Sequence, residues 1–363
     1  MDFTFTTEQE DLRRAVRGWL DRHATLDHLR AMENDPVGIT DELWADLLAL
    51  GWTSVLVPDA QGGGGGGLVD AVPVLEEIGR VPFPGPFSSS AGLATIAGAR
   101  LGLDDRLASL AAGTTRGTIA VDERGHGDPI DRIRTRATRR DGRWYLSGLK
   151  PVVPDGHSAD WCLVPARTQN GIQTFVLDGP AGDPVPSWDP FRRLARLDLD
   201  DRPAEPVGPD GDHTAAWRRI VDDGAVAVCA ELVGSMERAN ELAVEYAKAR
   251  VQFDRPIATF QVIKHKAADM LHRLELARVG THYAAWASDA DTPDRARAAS
   301  MAKAYAAEAA VYVSGECIQI HGGVGFTWDC QAHLHYRKAK QADLLLGYQG
   351  WHRTRVANDY LSA

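Results

Sequence analysis

The sequence predicts a mostly helical α+β chain: an N-terminal helical domain, a middle antiparallel β domain and a C-terminal four-helix bundle. Apolar residues recur at helical spacing up to about residue 115 and again beyond about residue 210. Between them lie short apolar runs bounded by Gly, Pro, Asp or Asn, the pattern of strands. A length of 363 residues leaves ample chain for two or three domains with a large core. These changes of texture set the expected domains at 1–115, 116–210 and 211–363.

In the first stretch, Thr7-Glu-Gln-Glu10 has the form of a capping box, whose oxygens satisfy the first free N–H groups of a helix. Leu12, Val16, Trp19 and Leu20 then make one apolar stripe. Further helices are expected near Asp41–Leu50 and Val69–Gly79. Between these, Val57-Pro-Asp-Ala-Gln-Gly62 runs into five more glycines, which read as a flexible turn or loop. In the middle stretch, Trp144–Gly148, Trp161–Val164 and Thr174–Leu177 read as strands. Beyond Thr214, Ile263, Ala267, Met270, Leu274 and Ala277 share a helix face. Thr292-Pro293 opens another helix, with proline where its missing N–H costs nothing. Helices in this succession ordinarily form an antiparallel bundle.

Forty basic against fifty acidic residues give a net charge of −10. That argues against a nucleic-acid surface and an anionic membrane, both of which favour a basic patch. No apolar run approaches the ~20 residues that span a bilayer. The start, Met1-Asp-Phe-Thr-Phe-Thr-Thr7, has neither the basic residues nor the apolar core of a signal peptide. Cys162, Cys229, Cys317 and Cys330 share no metal-ligand spacing. The expectation is a cytoplasmic protein without a metal, its cysteines serving as small core residues.

Two segments point to a dinucleotide. In Gln319-Ile-His-Gly-Gly-Val-Gly-Phe326, glycines at 322, 323 and 325 remove Cβ atoms, so a ligand can approach bare N–H groups. Glycines that merely end a helix give the same letters. Upstream, Arg250-Val-Gln-Phe253 ends another expected helix, and Arg250 offers a planar, permanently charged fork suited to pyrophosphate. The pair, about one helical hairpin apart, is more specific than either segment.

With these segments in place, the chain resembles the acyl-CoA dehydrogenase family over nearly its whole length. Val57-Pro-Asp-Ala-Gln-Gly-Gly63 and Val74-Leu-Glu-Glu-Ile-Gly79 are similar to its N-terminal helical domain. Tyr246-Ala-Lys-Ala-Arg250-Val-Gln-Phe253, Pro256-Ile257 and Phe260-Gln261 resemble its bundle hairpin, and Gln319–Phe326 its glycine segment. Trp188–Arg193 and His352-Arg353 resemble short actinobacterial-type members. The resemblance implies an FAD flavoprotein, an oxidoreductase of lipid metabolism that converts acyl-CoA thioesters to the 2,3-enoyl form. It implies an electron-transfer flavoprotein or similar acceptor. It also implies a homodimer, a homotetramer or a heterotetramer with a related subunit, because the family's FAD crosses a dimer interface. By that pattern Arg250, Phe253, Gln261, Gln319, Gly322 and Gly323 hold the ADP half of a neighbour's FAD. Asp254 stands where glycine is usual, and its carboxylate is unfavourable near pyrophosphate unless it turns away or pairs with Arg255.

The chemistry needs a base for the proton α to the thioester carbonyl. In the family it is a glutamate in one of two places. One falls here on Leu346 or, with the loop shifted, Gln349, and no glutamate follows Glu316. The other falls on Gly224, preceded by Asp222 and Asp223. The next candidate is Glu231, the only charge in Ala225–Gly234, about 10 Å further along the helix. Ala227, Gly234 and Ser235 around it are expected to leave room for a flat ring or thioester, and an apolar setting favours a raised pKa. The alternative is a buried glutamate paired with a bundle cation. Asp223 is the second candidate, against solvated acids at a helix start.

The β stretch departs from the family. Its Thr-Glu-Pro and Trp-(Ile/Val)-Thr flavin clasps read here as Val121-Asp-Glu-Arg-Gly-His126 and Lys150-Pro-Val-Val-Pro154-Asp-Gly-His157. Lys264-His-Lys266 and Arg337-Lys-Ala-Lys340 could meet CoA phosphates or be solvated faces. Three readings follow: an acyl-CoA dehydrogenase, a catalytically degenerate partner subunit of a heteromeric one, or a biosynthetic relative with other flavin chemistry.

Overall fold

A computed structural model describes residues 5–362. The first helical stretch contains α1 (Thr7–His23), α2 (Leu26–Met32), α3 (Asp41–Ala49), α4 (Leu68–Arg80), a π-helical segment at Phe87–Ala94, α5 (Thr95–Leu101) and α6 (Asp104–Ala111). The cap of α1 lies one residue earlier than expected. Thr6 Oγ1 accepts from Gln9 N at 3.2 Å, and Gln9 Oε1 accepts from Thr6 N at 3.0 Å. The first four residues, on which most of the signal-peptide argument rests, lie outside the described residues.

Seven strands follow: β1 (Gly117–Ile119), β2 (Arg136–Arg140), β3 (Arg143–Pro154), β4 (Trp161–Thr168), β5 (Gly171–Asp178), β6 (Asp183–Val185) and β7 (Leu194–Pro206). They form one sheet in the order β1-β4-β2-β3-β7-β5, with β6 on β7 and β4 also pairing β5. The sheet is mainly antiparallel, as expected, but β1 runs parallel to β4. Leu146, Val164, Phe175 and Leu197 are among the residues that fill its core. The last stretch holds α7 (Thr214–Ala249), the two-residue strands β8 (Val251–Gln252) and β9 (Arg255–Pro256), α8 (Gln261–Asp289), α9 (Arg295–His321), α10 (Ala332–Leu344) and α11 (Gln349–Ser362). No helix among the described residues is long and apolar enough to cross a membrane.

The chain divides into two compact units. One comprises residues 1–31, 72–83 and 226–363; the other comprises 32–71 and 84–225. In the second unit the glycine run is a loop, as expected, and its backbone is hydrogen-bonded. Gly64 N donates to Ser54 O, Gly65 N to Val57 O and Gly66 N to Val55 O, each at 2.9 Å. A Cβ at Gly63 would collide with the Val57 backbone, so the missing side chain lets the loop lie close on 54–57. In the first unit, α4 and α7 cross with their backbones nearly touching. A Cβ at Gly234 would collide with the Glu76 carbonyl, and one at Gly79 with that of Glu231. Around this crossing Arg17 pairs with Glu77 at 2.6 Å, and Arg80 pairs with Glu237 at 2.7 Å and Glu241 at 2.8 Å.

Candidate flavin-binding surface and the base positions

The bundle brings the two expected cofactor segments to one end of the first unit. The Tyr246 ring on α7 stacks on His321 at the end of α9, with centroids 4.4 Å apart. Arg250 lies one helical turn beyond Tyr246, and Gly322 directly follows His321. Lys266 near the start of α8 pairs with Glu316 near the end of α9, so Gln261 and Gln319 share that end. All six expected contact residues are exposed: Arg250, Phe253, Gln261, Gln319, Gly322 and Gly323. Phe253 is 86% exposed and Phe326 71%, an apolar surface left uncovered.

The local backbone is built for close approach. Gly322 has φ +63°, and a Cβ at Gly322 or Gly323 would meet nothing within 4 Å, so open space lies above both. Gly325 is different: its missing Cβ makes room for Ile318 and His321 beneath the turn. Phe253 and Asp254, with φ 54° and 60°, form the two-residue turn between β8 and β9. Two successive positive φ values are the mark of a type I′ turn, which favours Asn-Gly. Asp254 is exposed there. Arg255 lies over the Phe260 ring at 4.3 Å. These residues fit the ADP half of FAD: bare N–H groups at the glycine turn, the Arg250 guanidinium for pyrophosphate and exposed aromatic surface.

The base positions are closed. At the loop after α10, Leu346 is 1% exposed with φ +56°, a left-handed conformation seldom adopted by leucine. Lys303 on α9, fully buried, donates to the carbonyls of Ala342 at 2.9 Å, Asp343 at 3.0 Å and Gly347 at 3.3 Å. His352 Nε2 faces the Leu346 carbonyl at 3.1 Å. Gln349 N donates to Asp343 Oδ1 at 3.1 Å, while Gln349 Oε1 is buried without a hydrogen-bond partner. Sequence reasoning missed Lys303 as the clamp; the signal was a lone cation among alanines, Ala302-Lys-Ala304.

Glu231 is 3% exposed and pairs with Lys338 on α10 at 3.3 Å, one turn from Ser235, whose Oγ lies 2.8 Å from His335 Nδ1. The room expected beside it is taken: α4 fills the space that Gly234 leaves. The carboxylate therefore has the buried bundle cation that was the alternative reading. The Arg337–Lys340 cluster is split by the same contact, since Lys338 faces inward. In the second unit Asp223 is also buried, not a solvated helix-start acid. Its Oδ2 meets Arg100 Nη2 at 2.8 Å and Arg219 Nε at 3.1 Å.

The β segment that replaces the family's clasp does structural work. Glu123 accepts from Arg134 N at 2.6 Å and Thr135 Oγ1 at 2.7 Å, and pairs with fully buried Lys150 at 2.7 Å. Burial opposes its charge, but Lys150 and these donors outweigh it and hold the carboxyl below its ordinary range. His157 Nε2 meets Pro36 O at 2.6 Å, a loop contact.

The comparisons agree with this geometry. Residues 6–104 match the model of the acyl-CoA dehydrogenase N-terminal domain, and residues 214–361 that of the C-terminal domain. The chain is 33% identical to acyl-CoA dehydrogenase IpdE2 of Mycobacterium tuberculosis over 342 residues, 93% of each chain. It is similar to a chain of the ChsE4–ChsE5 complex from Mycobacterium tuberculosis, with TM-score 0.89 and 29% identity, covering 100% of both chains. It also matches butyryl-CoA dehydrogenase from Megasphaera elsdenii, with TM-score 0.89 and 26% identity, covering 99% of this chain and 100% of that one. The exposed glycine turn, the bundle that carries it and these matches make one statement: the chain belongs to the acyl-CoA dehydrogenase family of FAD-dependent oxidoreductases that act on acyl-CoA.

Proposed function

We propose that this chain is the cleft-lending partner in a heteromeric acyl-CoA dehydrogenase that α,β-desaturates a CoA thioester. The observation that carries this reading is the closure of the base positions. Leu346 is buried under a clamped backbone, Glu231 is paired with Lys338, and Asp223 is paired with Arg100 and Arg219. A carboxylate held by a buried cation loses that partner's compensation on taking a proton, which disfavours it as a base. FAD, when bound, accepts hydride from the substrate's β carbon. This chain's part is to hold the ADP half through Arg250, Phe253, Gln261, Gln319, Gly322 and Gly323. A related subunit supplies the glutamate and the isoalloxazine clasp, and an electron-transfer flavoprotein or similar acceptor reoxidises the flavin. ChsE4–ChsE5, a complex of two differently named chains, supports a mixed assembly. The four free, buried thiols suit a reducing cytoplasm.

The test is spectroscopic. The chain alone should retain little flavin and bleach with no acyl-CoA; co-expressed with a related subunit, it should purify as a yellow mixed oligomer that bleaches. A yellow homodimer or homotetramer that bleaches alone restores the self-sufficient enzyme, with Glu231 and then Asp223 as candidate bases. A yellow homomer inert to every acyl-CoA but active on another donor favours other flavin chemistry.

A further inference from the structure

One face of α8 is left uncovered by the described residues. The helix buries Met270, Leu274, Ala277 and Thr281 against the bundle. On its other side Val262, His265, Asp269, His272, Leu276 and Val279 are all exposed. They follow one another at steps of 3, 4, 3, 4 and 3 residues, the a/d repeat of a helix seam. Val262 is 60% exposed, Leu276 47% and Val279 53%. Single exposed apolar residues are ordinary on a surface, but three on one seam about 26 Å long make a stripe.

The seam is complementary to itself. Laid antiparallel about a two-fold axis between residues 270 and 271, Val262 meets the partner's Val279 and His265 meets the partner's Leu276. In the same register Asp269 meets the partner's His272. Two-fold symmetry makes each of these pairs occur twice. Apolar contacts fall toward both ends, and a carboxylate faces an imidazole N–H at the centre, where a polar residue at a seam position fixes register. Parallel pairing would set Asp269 against its own copy, which like charge opposes. Among the described residues neither Asp269 nor His272 has a side-chain partner within the chain. The cations on the α9 flank turn away from the seam: Lys266 pairs with Glu316, and Arg273 lies over the Tyr312 ring at 4.1 Å.

We propose that two copies of this chain pair antiparallel through the α8 seam from Val262 to Val279. A second copy is the occupant because the complement of each seam position is another position of the same seam. The seam starts one residue past Gln261 and runs away from the glycine turn, so the two flavin surfaces proposed above fall at opposite ends of the pair. The contact does not depend on which subunit supplies the base: a self-sufficient homomer and a mixed assembly both accommodate it.

Cysteine cross-linking of the full chain tests the register, since the four native thiols are buried. Val262→Cys and Val279→Cys chains, mixed and mildly oxidised, should form a covalent dimer. Neither variant alone should do so, because like positions lie about 26 Å apart along the antiparallel pair. The double variant should link nearly every chain. In sedimentation, Leu276→Glu should weaken self-association at least ~10²-fold with the helical circular dichroism unchanged. His272→Asp sets like charges against each other at two places and should weaken it at least ~10-fold. Exchanging the pair, Asp269→His with His272→Asp, should restore association. A mixture that does not link, Val262→Cys linking to itself, or unchanged association in Leu276→Glu would each overturn the proposal. So would a parent chain that stays monomeric until a related subunit is added.

Discussion

Two helix ends in one unit meet opposite fates. At the end of α9, the turn at Gly322 and Gly323 is exposed and bare, with open space over both. At the end of α10, the backbone at Leu346 and Gly347 also turns left-handed, but Leu346 is packed inward and its carbonyl is held by His352. One turn leaves open space above it; the other is packed shut. Both conformations need positive φ, so backbone shape alone does not distinguish a binding turn from a sealed one. What fills the volume above the turn does.

The largest effects should come from breaking the sealed side. Glu231→Gln leaves Lys338 buried without its charge partner and should destabilise the protein by about 3–5 kcal/mol in urea unfolding. Lys338→Met should cost a similar amount, and the double variant less than the sum of the two. If Glu231→Gln instead keeps full stability while bleaching of the flavin falls at least ~10²-fold, Glu231 is the base and the comparison fails.

Lys303→Met should come next. It leaves the carbonyls of Ala342, Asp343 and Gly347 without their donor, at a cost of about 3 kcal/mol by the same measurement. Limited proteolysis should then cut near 345–348 in the variant and spare the parent. An unchanged cleavage pattern would mean that Lys303 does not clamp the loop.

On the open side, Arg250→Ala removes a charge-assisted contact and should weaken FAD retention by about 1.5–3 kcal/mol in the assembled protein. Gly323→Val is the sharper probe. Its Cβ meets nothing of the chain within 4 Å and its φ is not left-handed, so stability should stay within ~0.5 kcal/mol. Flavin retention should nonetheless fall at least ~10-fold, about 1.4 kcal/mol. Equal flavin occupancy in this variant and the parent would show that the space over the turn is not where the dinucleotide lies.

The smallest effect is in pH. Burial pushes the fully buried His335 down to about 3, with nearby Lys338 acting in the same direction, and burial also lowers His352 well below its ordinary range. Both are neutral in the fold and charge more readily when unfolded. Their stabilisation is complete above about pH 6.5 and is lost as pH falls, by up to ~1.4 kcal/mol per pH unit for each group. Between pH 6.5 and 5, before most carboxylates titrate, His335→Leu should flatten the decline in stability. A slope unchanged by the substitution would place the acid sensitivity elsewhere.

The sequence by itself determined the order of helices, strands and helices, because periods of 3.6 and 2 are written in local apolar spacing. It also picked out the surface proposed for the flavin: glycines without Cβ atoms and an arginine at a helix end are informative one residue at a time. The base positions were legible only as absences, with Gly224, Leu346 and Gln349 where glutamate is usual. What only the tertiary structure decided is the state of the remaining carboxylates. Glu231 looked isolated because its cation, Lys338, is 107 residues away on α10, and Asp223 looked solvated because Arg100 comes from α5. The glycine run looked loose for the same reason: its partners at 54–57 are set by folding. A charge's partner and a cavity's filling are long-range facts, and local spacing does not encode them.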